Sequence, residues 1–165
     1  MNRLGILLFM FWLVSITSAA GQQDYSQIPL KTAEDCKKAE PEVLKAVNFI
    51  LSKRVCDQDA LTASLFNIKW MENTAHTFSV NRKVSKLSDK KKNPLLVGVY
   101  LACLTKFVLE NPDKLKDEKT VQLGACRLFA DYLRMKDNDV VMTKGIKKFL
   151  EAEEQGKLEA YLGYK

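Results

Sequence analysis

The sequence predicts an all-α protein, a compact bundle of about five to six helices around a buried central helix at 94–110. Three observations carry that expectation. Leu95 to Leu109 holds a single charge, Lys106, and apolar residues face every direction of a helical wheel. Such a helix is either a membrane span or the centre of a bundle, and this run falls short of the roughly 20 apolar residues a span requires. The flanking segments repeat apolar residues at helical spacing behind plausible N-caps. Alternation that permits a short extended segment occurs at 77–81, inside the least helical part of the chain.

The first 20 residues have the build of a signal peptide: Arg3 near the start, an apolar core from Leu4 to Ile16, then Ser18-Ala19-Ala20. Cleavage after Ala20 leaves Gly21 as the mature N-terminus, with cleavage after Ala19 as the alternative. The expectation is an exported protein, periplasmic or secreted, with no transmembrane segment after processing. Residues 21–30 are polar and without periodicity, and read as a flexible lead-in. Residues 31–165 then form a single helical domain of ordinary size.

Within that domain Thr32 is a plausible N-cap, and Pro41 either starts a new helix or kinks the first one. Val43, Val47, Ile50 and Leu51 follow one helical face, which predicts a helix over 41–54. Asp57 can cap a second helix at 57–73, where Leu61, Leu65, Ile68 and Met71 line a stripe that Phe66 and Trp70 widen. A connection of a few residues makes these two an antiparallel hairpin. The long connection at 74–92 follows. Asn93 and Pro94 suit the N-cap and first position of the central helix, and Asn111-Pro112 ends it.

Val121, Ala125, Leu128, Phe129, Tyr132 and Met135 predict a helix over 119–136. Asp137-Asn138-Asp139 reads as a turn and cap, leading into a helix at 139–154 with Met142, Ile146, Phe149 and Leu150 on its apolar face. Gly145 weakens its interior. After Gly156, a last short helix at 157–163 lays Leu158, Tyr161 and Leu162 on the core.

Without Arg3, the 26 basic residues fall to 25 against 20 acidic ones, a formal balance of about +5. Such a balance favours weak attraction to anionic surfaces. It is far from a nucleic-acid footprint, and export argues against nucleic acid as well. Arg82, Lys83, Lys86, Lys90, Lys91 and Lys92 concentrate the positive charge in the 74–92 connection, against the one acid Asp89. These six are the candidate surface for an anionic partner: a lipid surface, an acidic or sulfated glycan, or an acidic protein. The bland alternative is a solvated linker. No interleaved aromatics suggest base stacking.

Four cysteines follow the cleavage region, and an oxidising compartment invites pairing. Cys103 and Cys126 lie equidistant from the turn between the central helix and its successor, which makes them candidates for a disulfide; two buried thiols acting as small hydrophobes are the alternative. Cys36 and Cys56 pair only if the chain breaks sharply near Pro41. No C-x-x-C occurs, and no cofactor or metal site is expected. Asp137 and Asp139 faintly resemble a calcium loop, but the required glycine and terminal glutamate do not follow. His76, the single histidine, is the only base a histidine-dependent hydrolase has available.

These readings favour a non-enzymatic exported module that binds a protein or small-ligand partner. The alternatives are a hydrolase-type enzyme using carboxylates or His76 in a helical cleft, and a carrier holding an apolar ligand around Leu96, Tyr100 and Phe107.

Overall fold

A computed structural model describes residues 24–89 and 91–164; the expected signal peptide and Lys90 lie outside the described residues. Seven α-helices follow one another: α1 Ala33–Ser52, α2 Gln58–Asn73, α3 Arg82–Ser85, α4 Leu96–Glu110, α5 Glu118–Arg134, α6 Lys144–Glu154 and α7 Leu158–Leu162. Among the described residues there is no β-strand. The all-α expectation holds, and α4 is central as expected: it packs on α1, α2, α3 and α5. Its interior face includes Leu96, Val99, Tyr100, Cys103, Leu104 and Val108, all buried.

The first helix begins well before Pro41, which lies inside it. A proline in a helix interior removes an N–H and crowds the preceding turn, so the helix needs support upstream. A capping box supplies it: Thr32 accepts from the Asp35 amide, and the Asp35 carboxylate accepts from the Thr32 amide. Buried Cys36 and Ala39 anchor the same stretch, and Trp70 Nε1 donates to the Cys36 carbonyl at 2.9 Å. The segment read as a flexible lead-in is also docked from Asp24 onward. Tyr25 stacks on Phe66 with ring centroids 4.5 Å apart, and Leu30 is buried.

Two other helix starts differ from expectation. α4 has Leu95 at its N-cap with no side-chain cap bond, because Asn93 is used elsewhere. α6 starts at Lys144 behind Thr143, whose hydroxyl accepts from the Ile146 amide. Met142 therefore stands outside the helix and is exposed rather than part of its core face.

All four cysteines are free thiols, so neither candidate bridge is formed and the alternative of buried thiols describes Cys103 and Cys126. Cys36 sits at the start of the unbroken 20-residue α1 and Cys56 beyond its end, about 30 Å apart at the rise of a helix. Cys103 and Cys126 are fully buried in the apolar core and pack there as small hydrophobes. The seam between α4 and α5 is instead closed by an aromatic ring on a glycine. A Cβ placed on Gly124 would lie 1.9 Å from Phe107 Cε2.

That contact makes Gly124 irreplaceable by even a methyl group without displacing the ring. Gly124→Ala is expected to lower stability by about 1–3 kcal/mol through overpacking, read from denaturant unfolding. Adding Phe107→Leu should recover part of the loss, whereas an unchanged midpoint for Gly124→Ala alone would contradict the packing.

Candidate functional site

The described residues of the basic connection are docked on the fold. Its anchor is a buried phenol: Tyr100 donates to Gln122 Oε1 at 2.6 Å, and the Gln122 amide donates in turn to the Ser79 carbonyl. Burial pushes the Tyr100 ionisation upward, so the hydroxyl stays protonated and remains a donor. The Asn81 backbone N–H reaches the same hydroxyl at 3.4 Å. Asn81 also caps α3 through the Lys83 amide and donates from its side chain to the Leu162 carbonyl. Val84 and Leu87 point inward and are buried.

The end of the connection is tied down just as firmly. Asn93 Nδ2 donates to the Val141 carbonyl, and the Val141 amide donates back to Asn93 Oδ1, both at 2.9 Å. This two-way bond satisfies a side chain that is 2 % exposed, and it holds the start of α4 beside the loop before α6. Ser88 Oγ donates to the Asn93 and Pro94 carbonyls. Leu87 lies against Gly145, with its Cδ2 3.2 Å from where a Cβ would stand.

These ties place the candidate cations. Arg82, Lys86, Lys91 and Lys92 are exposed and form no ion pair among the described residues. Asp89 makes no ion pair with them, although the Lys92 charge is close enough to help lower its carboxyl. Its carboxylate accepts from the Lys91 and Lys92 backbone amides at 2.8 and 3.0 Å, and those bonds hold it below the usual carboxylate range. Lys83 is different: its Nζ donates to the Tyr161 carbonyl at 2.7 Å, so it fastens α7 rather than serving an outside partner.

Sequence reasoning missed the second half of this face. Leu87, the neighbour of Lys86, lies against Gly145 at the start of α6, whose first two turns expose Lys144, Lys147 and Lys148. The first turn of α6 contains no acidic residue. Cations at a helix N-terminus oppose the helix dipole, so these lysines work against local stability. That mismatch was the available signal, but joining it to a segment some 50 residues away required the fold.

His76 and the cysteines offer little chemistry. His76 Nε2 lies 2.9 Å from Glu40 Oε1, and its ring is 5.7 Å from that of Trp70. Burial would raise the Glu40 carboxyl, but hydrogen bonds from Lys37 and His76 outweigh it and leave it below the usual range. The pair ties α1 to the connection. Burial raises the thiols of Cys36 and Cys103 and pushes Cys126 up to about 12. Cys56 is exposed, yet its thiol donates to the Asp139 carboxylate at 3.0 Å, which also raises it. None has the lowered ionisation of a reactive nucleophile.

Asp139 is further engaged by Arg54 at 3.5 Å. Among the described residues no three His, Cys, Asp or Glu side chains come together as a metal site. An apolar depression of about 140 Å³, lined by Ile28, Pro29, Lys38 and Ala39 among others, is smaller than ordinary ligand pockets. Comparisons with protein families, with characterised proteins and with solved structures returned no match.

Thiol labelling of the native protein checks the cysteine assignment. One site, Cys56, should react with a maleimide in the native state, and three more should react only after unfolding. A product two mass units per bridge too light for four thiols would contradict it.

Proposed function

We propose that this protein is an exported, non-enzymatic binding module whose working surface is the basic face formed by the 82–92 segment and the first turn of α6. The observation that carries the reading is the set of exposed lysines and Arg82 without acidic partners, gathered on a backbone fixed by buried hydrogen bonds. A solvated linker would not need Asn81, Asn93, Val84 and Leu87 to be locked into the core. Unpaired charges on a rigid frame keep their field in one place, which favours capture of an anionic partner. Export is supported by the pattern of the first 20 residues.

The rival readings have less support. A hydrolase would need His76 to serve as a base, yet it is paired with Glu40 and no activated nucleophile stands beside it. A carrier would need room around Leu96, Tyr100 and Phe107. Leu96 and Tyr100 are buried in the core, the Tyr100 hydroxyl is committed to Gln122, and the Phe107 ring fills the space over Gly124.

The full chain is expected to bind immobilised heparin, a sulfated polyanion, at low salt and to be released as salt rises. Lys86→Glu with Lys91→Glu should weaken binding by about ten-fold or more. Lys114→Glu with Lys116→Glu makes the same charge change at the other end of α4 and should have a much smaller effect. Absence of binding at low salt, or equal losses from the two pairs, would overturn the reading.

A further inference from the structure

Resting on that reading, we infer that the anionic partner is a phospholipid bilayer, into whose surface the apolar loop tips beside the lysines insert. The Asn93–Val141 bond brings together two short stretches that carry large apolar side chains out of the core. On one, Leu95 and Val97 are 38 % and 36 % exposed; on the other, Val141 and Met142 are 48 % and 42 % exposed. Four of the seven large apolar side chains left exposed among the described residues stand on these two stretches. Clustered exposure of that kind marks an interaction site, whereas scattered single residues do not.

The surroundings select the kind of partner. Lys91 and Lys92 directly precede Asn93, and Lys144 follows Met142 by two residues. Leu87, next to Lys86, touches Gly145, next to Lys144. A soluble polyanion uses the lysines but gains nothing from the apolar tips. Protein interfaces are enriched in aromatic residues and arginine and depleted in lysine, the reverse of what this end displays. At a bilayer surface both features are used together. Apolar side chains enter the boundary between head groups and acyl chains, while lysine ammonium groups remain at the phosphates with their stems along the apolar layer.

The dipole mismatch in α6 fits the same partner. Its N-terminal lysines and the positive end of its dipole add to one another, which is unfavourable in water and favourable against an anionic surface. Attachment would be peripheral: among the described residues no helix is long and apolar enough to cross a membrane.

The test is co-sedimentation of the mature chain with vesicles of phosphatidylcholine, with and without phosphatidylglycerol. The chain used begins at Gly21, the expected mature N-terminus, so that the apolar leader does not itself bind the vesicles. Phosphatidylglycerol is expected to raise the bound fraction strongly, and Lys86→Glu with Lys91→Glu should remove that gain. Leu95→Ser with Met142→Ser should also weaken vesicle binding, by about ten-fold, while leaving heparin retention unchanged and the helical circular-dichroism spectrum intact.

Heparin retention without vesicle binding would overturn the bilayer assignment and leave the anion-binding reading standing. Retention on polyglutamate without vesicle binding would assign the face to acidic proteins instead. Vesicle binding that is indifferent to Leu95→Ser and Met142→Ser would show that the tips do not enter the bilayer. Binding to neither vesicles nor heparin would remove both proposals.

Discussion

One buried phenol holds the two halves of this molecule in register. Tyr100 is in the middle of the fold and 1 % exposed, and a hydroxyl buried without a partner costs about 1–3 kcal/mol. The only way to bury it cheaply is to bring polar groups to it. Gln122 comes from α5 and the Asn81 amide from the connection before α3, while the Gln122 amide reaches on to Ser79. Together with the His76–Glu40 pair and the buried Val84 and Leu87, these bonds hold the described part of the 74–92 connection on the core. The demand of one oxygen converts that connection into part of the core.

From this constraint the surface follows. Once residues 79–81 are held at Tyr100, α3 must turn Val84 and Leu87 inward, and Lys86 is left facing out. Once Asn93 is buried, its amide must find partners, and the backbone of Val141 supplies both. The same bond leaves Leu95, Val141 and Met142 with no interior to enter. Positive charge and apolar tips thus share one end of the fold because two buried polar side chains needed hydrogen bonds there.

Much of the fold was legible in the sequence, and the failures have physical causes. The central helix, the α5 stripe and the last short helix declared themselves through periodicity. The α2 stripe is rotated from the expected one: Leu65 is 69 % exposed, and Ala63, Phe66, Asn67 and Trp70 face the core, because small residues let α2 sit close to its neighbours. Pro41 was given too much weight: the capping box at Thr32 and Asp35 carries the helix through it. Asn93 was read as a local cap, but its amide makes a contact 48 residues away, which no short window can reveal. Cys103 and Cys126 were placed correctly in a helical hairpin, and a core able to accept them as thiols made the bridge unnecessary. Half of the basic face, from Arg82 to Lys92, could be read as a charge run. The α6 half and the apolar tips could not, since their proximity depends on side-chain bonds between distant segments.

Amide hydrogen exchange, followed residue by residue, tests the central claim that buried polar bonds fix the basic connection. The account predicts that the Asn81 and Val141 amides exchange about a hundred-fold or more slower than in an open chain. It also predicts that Tyr100→Phe releases Asn81 while Val141 stays protected. Exchange of residues 79–93 at open-chain rates would show that the connection is not docked, and a face fixed in place would no longer be part of the account.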